Sequence, residues 1–199
     1  SSVAMSGDKL AVGAIYDGGV GNAESNAGAV YTYQFTGGAW VLDSTVLRPG
    51  GLDANDFFGS SVAMSGDKLA VSARGDDDVS DDKPNAGAVY TYQFTGGMWV
   101  LDSTVLRPGG LDINDYLGES MTMSGDNLAV GTDNDDGVGN GESNAGAVYT
   151  YRFTGGMWVA NTVLRPDGLV ANDFFSSSVA MSGDKLAVGA RGDDGAGLE

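Results

Sequence analysis

The chain repeats its own sequence, and this repetition constrains the fold more than any other feature. The stretch FGSSVAMSGDKLAVSARGDDD, residues 58–78, has close copies near both ends of the 199 residues. The copies cover residues 1–59, 60–118 and 119–176, and a partial fourth copy covers 177–199. A fixed period of this length indicates that each copy is one structural unit that packs on its neighbours. We therefore expect residues 1–199 to form a single repeat array.

Within each copy the apolar residues alternate with a period of two, as they do in β-strands. Two short strands meet at the polar turn Ser65-Gly66-Asp67, and two more meet at Thr95-Gly96-Gly97. No stretch shows the longer period of an amphipathic helix. The sequence therefore predicts an all-β fold of four-stranded antiparallel meanders, which are typical of β-propeller blades rather than of solenoid coils.

The composition narrows the classes of function. There are 27 Asp and Glu residues against 10 Lys and Arg, and the formal net charge is −17. Such a surface repels nucleic acid and anionic membranes and attracts cations. The sequence contains neither Cys nor His, which excludes disulfides, thiolate or imidazole metal sites and nucleophilic systems built on these residues. No apolar run is long enough for a membrane span, so membrane insertion is not expected.

The repeat resembles the FG-GAP repeat family, in the bacterial type that is related to the propeller of integrin α-subunits. The matching residues are Phe58-Gly59 before the first strand, Val71-Ser72-Ala73 after the second, and Gly87-Ala88-Val89-Tyr90 at the start of the third. The resemblance implies a seven-bladed ring, an extracellular or cell-surface location, and a role in recognition or adhesion without catalysis.

Two features depart from the family pattern. The integrin-type repeat binds calcium in the hairpin between its first two strands, but this hairpin has lone aspartates here, Asp8, Asp67, Asp126 and Asp184. The family calcium site therefore does not carry over. In the fourth copy Ser176 follows Phe175 where the family has glycine, and this predicts a looser junction between blades.

The copies amount to about 3.5 blades, half of a seven-bladed ring. An isolated arc would expose an apolar face and an unpaired strand edge at each end. We therefore expect self-association, either as a homodimer that closes a ring or as a longer assembly. The alternative is that the chain is one segment of a longer array.

In such a meander, the loops before the first strand and after the second emerge on one side, here called the loop face. The short SGD and TGG turns lie on the other side, here called the hairpin face. One Asp follows the second strand in every copy, and another precedes the first strand at each complete junction. As candidates for ligand contact on the loop face we take Asp56, Asp115, Asp173, Arg74 and Arg191.

Loops rich in carboxylates can also bind Ca²⁺, which prefers several oxygen ligands. The candidate calcium residues are Asp17, Asp76, Asp77, Asp78, Asp81, Asp133, Asp135, Asp136 and Asp193. The alternative is that these residues cap turns on a solvated acidic surface.

Three further patterns recur. The tripeptide RGD occurs at 74–76 and 191–193, where it could act as an adhesive ligand, but other copies read IYD and DND there, which favours an acidic turn. Arg48, Arg107 and Arg165 are predicted to pair with acidic loops of neighbouring blades. Trp40, Trp99 and Trp158 are predicted to cover the outer strands.

The sequence favours a non-enzymatic recognition or adhesion module that binds protein or glycan through the loop face, with Ca²⁺ as the one candidate cofactor. One alternative is a structural subunit of a surface layer or filament. The other is the propeller of a glycan-active enzyme, since two carboxylates can hydrolyse a glycosidic bond. Every acidic position recurs between copies, whereas active sites are rarely repeated, so no catalytic residue is assigned.

Overall fold

The computed structural model describes residues 2–43, 45–77, 82–137 and 141–195. Over these residues the chain forms fourteen β-strands. In chain order they are β1 Val3–Ser6, β2 Lys9–Ala14, β3 Ala29–Thr36, β4 Ala39–Leu42, β5 Phe58–Ser65, β6 Lys68–Ala73, β7 Ala88–Thr95, β8 Met98–Leu101, β9 Ser120–Ser124, β10 Asn127–Thr132, β11 Ala147–Thr154, β12 Met157–Leu164, β13 Phe175–Ser182 and β14 Lys185–Ala190.

Consecutive strands pair to form antiparallel sheets. Strands β1–β4 form the first sheet, β5–β8 the second, β9–β12 the third, and β13 and β14 a two-stranded fourth sheet. A three-residue 3₁₀ turn at Val20–Asn22 is the single helical element of the described residues. The prediction of an all-β fold built from four-stranded meanders is confirmed.

Glycine makes the predicted hairpins possible. The turn between β7 and β8 consists of Gly96 and Gly97, whose φ angles are +60° and +85°. A two-residue type I′ turn requires positive φ at both positions, and its twist matches that of the paired strands. The loop between β5 and β6 is Gly66-Asp67, and here Gly66 alone has a positive φ, +58°.

The sheets do not begin where the copies were divided. The predicted divisions at 59/60 and 176/177 fall inside β5 and β13. The reason is that Phe58 already pairs with Ala73 of β6, so that the FG dipeptide belongs to the first strand of the following sheet.

The sheets pack face to face in chain order, and an apolar cluster fills each of the first two spaces between them. The first cluster, between the first and second sheets, contains Val30, Phe58 and Val62. The second, between the second and third sheets, contains Ala63, Val89 and Leu117. Because neighbouring residues of a strand point to opposite faces, Val62 and Ala63 of β5 serve different clusters. The second sheet is therefore covered on both faces.

A tight backbone contact sets each junction between sheets. The Phe58 N–H donates to the Ala27 carbonyl at 2.8 Å, and Gly28 pairs with Phe58 as a parallel bridge. Gly28 has a φ of +91°, and a Cβ at this position would lie 2.1 Å from the Phe58 oxygen. The glycine of the recurring NAG triplet is required because nothing larger fits against the next sheet.

Ser176 occupies the position of the FG glycine in the fourth copy, and it is buried with a φ of +80°. Gly59 and Gly118 have φ angles of +91° and +93° at the same position. The Phe175 N–H still donates to Ala145 at 2.9 Å, as its counterpart does in the first junction. The predicted looser junction is not seen, and the substitution is instead accommodated by a serine in the left-handed region, which is strained for a residue with a Cβ.

Candidate functional site

On the loop face, each four-stranded sheet holds an aspartate between a tyrosine and an arginine, here called the Asp–Tyr–Arg set. In the first sheet, the Tyr31 hydroxyl donates to Asp17 Oδ2 at 2.6 Å, and Arg48 Nη2 donates to Asp17 Oδ1 at 2.6 Å. The equivalent residues are Asp76, Tyr90 and Arg107 in the second sheet and Asp135, Tyr149 and Arg165 in the third. Asp193 has no such partners among the described residues of the fourth sheet and is exposed, although its Oδ1 accepts the Gly195 N–H at 2.8 Å.

The arginines therefore do pair with acidic loops, as expected, but the predicted partners were wrong. Arg48, Arg107 and Arg165 each bind the aspartate of their own sheet and not that of a neighbour. The cause is the meander itself, since the segment after the fourth strand returns to the side where the second strand ends. In the first sheet Arg48 Nε also donates to the Gly28 carbonyl at 3.1 Å, so that the ion pair ties this loop to the junction.

The same set lies in different surroundings in the first two sheets. Asp76 is 3% exposed, and burial raises its pKa against the opposing effects of Tyr90 and Arg107. Asp17 is only half-buried, and the hydrogen bond from Tyr31, with help from Gly19 and Arg48, lowers its pKa. Identical partners thus give opposite shifts because the second sheet is shielded from water and the first is not.

The aspartates that precede each first strand are buried. Oδ2 of Asp56, Asp115 and Asp173 accepts the backbone N–H three residues earlier, at 2.6–2.8 Å. Burial raises the pKa of Asp56 to about 6 and that of Asp115 to about 7. These three carboxylates, predicted to contact a ligand, shape their loops from inside.

The loops of neighbouring sheets are connected by asparagine. Asn26 Nδ2 donates to Asn55 Oδ1 at 2.9 Å, and the pairs Asn85–Asn114 and Asn144–Asn172 repeat this contact at 3.0 and 3.2 Å. All six asparagines have positive φ, a conformation that this residue tolerates better than most. They form a ladder of side-chain amides across the loop face.

Next to this ladder, each junction places an aromatic residue in the left-handed region. Phe57, Tyr116 and Phe174 have φ angles of +55°, +55° and +52°. Bulky residues rarely adopt this conformation, and such strain is concentrated at functional sites. The aromatic residues form a row with their neighbours, here called the aromatic row, which also contains Tyr16, Arg74, Glu119, Asp133 and Arg191.

Arg74 lies at the centre of the aromatic row. Its guanidinium carbon is 5.3 Å from the Phe57 ring centre and 5.9 Å from that of Tyr116, and Nη1 is 3.1 Å from Glu119 Oε2. Arg191 is placed similarly, 4.4 Å from the Phe174 ring centre and 3.2 Å from Asp133. Both predicted arginines therefore lie on the loop face, held between aromatic rings and carboxylates.

These contacts bear on the two RGD tripeptides. In the first, Asp76 is buried and bound by Tyr90 and Arg107, so this tripeptide does not present a free carboxylate. In the second, Arg191 and Asp193 are both exposed. The interpretation of an acidic turn with a variable first residue therefore agrees with the structure at 74–76.

Most of the candidate calcium residues that the structure describes have protein partners for their carboxylates. Asp77 Oδ1 accepts the Asn85 N–H and Asp136 Oδ1 accepts the Asn144 N–H, both at 2.7 Å, and the Asp–Tyr–Arg sets occupy Asp17, Asp76 and Asp135. Over residues 2–43, 45–77, 82–137 and 141–195, no three carboxylates come together as a metal site would require. Asp78 and Asp81 lie outside the described residues, so calcium binding near them stays a prediction.

The tryptophans lie on the outermost strand of their sheets, as predicted. Trp99 and Trp158 are each 8% exposed, whereas Trp40 of the first sheet is 39% exposed. Each packs against a phenylalanine of the adjacent strand, with ring centres 5.2–5.3 Å apart. Trp99 and Trp158 belong to the apolar clusters between sheets, and Trp40 lies outside them.

The sequence did not identify the aromatic row. Tyr16, Phe57, Tyr116, Phe174 and Glu119 were not assigned a role, although Tyr16 is 73% exposed. The available signal was the double aromatic FF at 57–58 and 174–175. In the first pair Phe58 belongs to the core and Phe57 does not. When two aromatic residues are adjacent in a strand, one of them must point away from the core.

Comparison with known proteins gives one result. The family model described as FG-GAP repeat matches residues 1–33, 43–92, 105–151 and 158–199. No curated protein matches the sequence significantly. Among the described residues, no helix has the length and apolar character needed to cross a bilayer.

Proposed function

Because this chain belongs to the FG-GAP repeat family, we propose that it is an extracellular recognition module that binds its ligand through the loop face. Repeats of this family form β-propeller-like modules, which are typical of extracellular, surface and adhesion proteins and are typically non-enzymatic. The proposal adds the binding face and the class of ligand.

The aromatic row carries the proposal. At three junctions the chain holds a bulky aromatic residue in the left-handed region, a strained conformation that glycine and asparagine adopt more easily. Tyr16 extends the row with a largely exposed ring, 6.5 Å from that of Phe57 and at 86° to it. Aromatic and arginine side chains are the residues that contribute most to protein interfaces.

The charge on the two faces indicates the ligand. On the hairpin face, three lysines, Lys9, Lys68 and Lys185, lie close to the four hairpin aspartates, so the charges largely balance. On the loop face, exposed acidic residues outnumber the basic ones; they include Glu24, Asp53, Glu119, Glu142, Asp167 and Asp193. We infer that the ligand is a protein segment rich in lysine and arginine, because complementary charge favours association.

Binding to arrays of basic peptides and of glycans tests this function. We expect the protein to bind lysine- and arginine-rich peptides and to lose at least tenfold in affinity when Tyr16 is changed to Ala or Asp53 to Asn. The control is Asp126→Asn on the hairpin face, which should leave the affinity unchanged. If Asp126→Asn lowered the affinity as much as Asp53→Asn, net charge and not the loop face would explain the binding. Binding to glycans alone would overturn the proposed ligand class.

A further inference from the structure

The outward face of the first sheet has the composition of an interior surface. In the second sheet, Val62 and Met64 of β5 pack against the first sheet and are 5% and 8% exposed. Their equivalents in β1, Val3 and Met5, are 65% and 64% exposed. The same side chains in the same strand position are thus covered at one junction and open at the other.

The outward face of the fourth sheet is equivalent to the faces that cover such residues at the internal junctions. At the first and third junctions the first strand of the later sheet packs against the first and second strands of the preceding sheet, as β5 does against β1 and β2; at the second junction β9 packs against β5. Small residues line that contact, such as Ala11 in β2 and Ala63 and Ala70 in the second sheet, all buried. Ala180 and Ala187 hold these positions in β13 and β14, and both are exposed.

We propose that these two faces bind each other between two copies of this chain, so that copies associate head to tail through β13–β14 of one and β1–β2 of the next. The proposal is independent of the ligand proposed for the loop face. It takes the internal junctions of the chain as the template for the contact between chains. A contact of this kind, which uses two different surfaces, closes into a ring or continues as a filament.

A hydrogen bond that recurs at all three internal junctions predicts one contact of the interface. Ser6 Oγ accepts the Gly66 N–H, Ser65 Oγ accepts Gly125 N–H and Ser124 Oγ accepts Gly183 N–H, at 2.9–3.0 Å. The serine always belongs to the earlier sheet and the glycine to the later one. In the proposed contact, Ser182 Oγ of one copy accepts the Gly7 N–H of the next.

Charge predicts a second contact. Lys9 Nζ lies 3.2 Å from Asp67 and over the Phe94 ring, and Lys68 Nζ lies 3.1 Å from Asp126 and over the Phe153 ring. The side chains of these two lysines are 14% and 21% exposed, whereas Lys185 is 86% exposed. In the proposed contact, Lys185 reaches Asp8 and the exposed Phe35 ring of the next copy.

Light scattering after size exclusion tests the association, with one variant for each face. Met5→Asp blocks the face of the first sheet, and Ala187→Asp blocks that of the fourth. We expect the wild-type chain to have at least twice its 20.3 kDa mass and each variant to be a monomer. An equimolar mixture of the two variants should give a dimer, because each keeps the face that the other has lost.

Three results would overturn the proposal. The first is a wild-type chain that is monomeric at tens of micromolar, and the second is a mixture of the two variants that stays monomeric. The third is an Ala187→Asp variant that still dimerises, because such a dimer would have to pair two first-sheet faces. Met157→Asp is the matched control because Met157 is 60% exposed but lies on β12, outside both faces. Circular dichroism shows whether each variant is folded, which all three sites should permit because they are exposed.

The predicted ion pair gives a second test that does not depend on apolar burial. Asp8→Lys and Lys185→Asp should each weaken association at least tenfold. The variant with both changes should recover most of this loss, because the exchanged charges meet again between copies. Failure of the double variant to recover would place the contact elsewhere.

Discussion

The first and second sheets have nearly the same sequence but different surroundings. Strands β2 and β6 differ at one residue, KLAVGA against KLAVSA, and the sequence of β3 is identical to that of β7. Yet Tyr90 and Tyr92 of β7 are buried while Tyr31 and Tyr33 of β3 are only half-buried. The difference shows that local sequence determines the strand, whereas the energy of each side chain depends on whether a neighbouring sheet covers it.

The junction between the two sheets should be the most sensitive place in the chain. Phe58 is fully buried, and its ring meets Tyr90 edge-on with centres 5.5 Å apart. We expect Phe58→Ala to lower the free energy of unfolding by about 3–5 kcal/mol, through lost burial and the cavity left behind. Urea denaturation followed by tryptophan fluorescence measures this. A change below about 1 kcal/mol would mean that the sheets are not coupled through Phe58.

The Asp–Tyr–Arg sets allow the covered second sheet to be compared with the more exposed first sheet through one aspartate of each. Asp76→Asn removes the charge that faces the partly buried Arg107 and should cost about 3 kcal/mol. Asp17→Asn does the same to the more exposed pair with Arg48, where water screens the charges, and should cost about 1 kcal/mol. Exposed Asp167 is the control and should change stability by less than about 0.5 kcal/mol as Asn. Equal losses at Asp76 and Asp17 would contradict the role given to the covering sheet.

The equivalent methionines compare apolar burial directly. Met64→Ala should lower the free energy of unfolding by about 2 kcal/mol, since Met64 is buried between the sheets. Met5→Ala should change it by less than about 0.5 kcal/mol, provided that the protein is dilute enough to be monomeric. If Met5→Ala cost as much as Met64→Ala in a confirmed monomer, the face of the first sheet would have to be covered within the chain.

The smallest expected effect concerns pH and the buried aspartates of the junction loops. The pKa values of Asp56 and Asp115, about 6 and about 7, lie above the ordinary value of 3.8. Between about pH 4 and pH 7 the folded chain therefore binds more protons than the unfolded chain, and stability rises as the pH falls through this window. Conversely, the stabilisation from these two protonated carboxyl groups is gone once the pH has risen through about 6–7.

A double variant isolates this contribution. Asp56→Asn with Asp115→Asn should flatten the dependence of stability on pH by about 1–2 kcal/mol across the window. The comparison uses urea denaturation at pH 4.5 and pH 7.5. An unchanged slope would mean that these carboxylates are already hydrated in the folded chain. The first sheet has no buried aspartate of this kind among its described residues, so the effect belongs to the internal junctions.

Much of the candidate site could be placed from the sequence, but its partners could not. The positions of Asp17, Asp76 and Asp135 after the second strand follow from the repeat, and the arginines were correctly expected to meet acidic loops. That each arginine binds within its own sheet depends on where the chain returns after the fourth strand, which no local pattern encodes. The burial of Asp56, Asp115 and Asp173 was missed for a similar reason, because aspartate in a loop is usually exposed.

By itself the sequence determined the all-β fold, the hairpins with their glycines and the repeating order of strands, because alternation and turn chemistry act over a few neighbouring residues. Only the tertiary structure decided which copies of the repeat are buried, which carboxylates lie inside the loops, and which two faces remain open. These properties arise from contacts between residues about sixty positions apart, such as Ser6 with Gly66, and identical segments acquire different energies according to what lies against them.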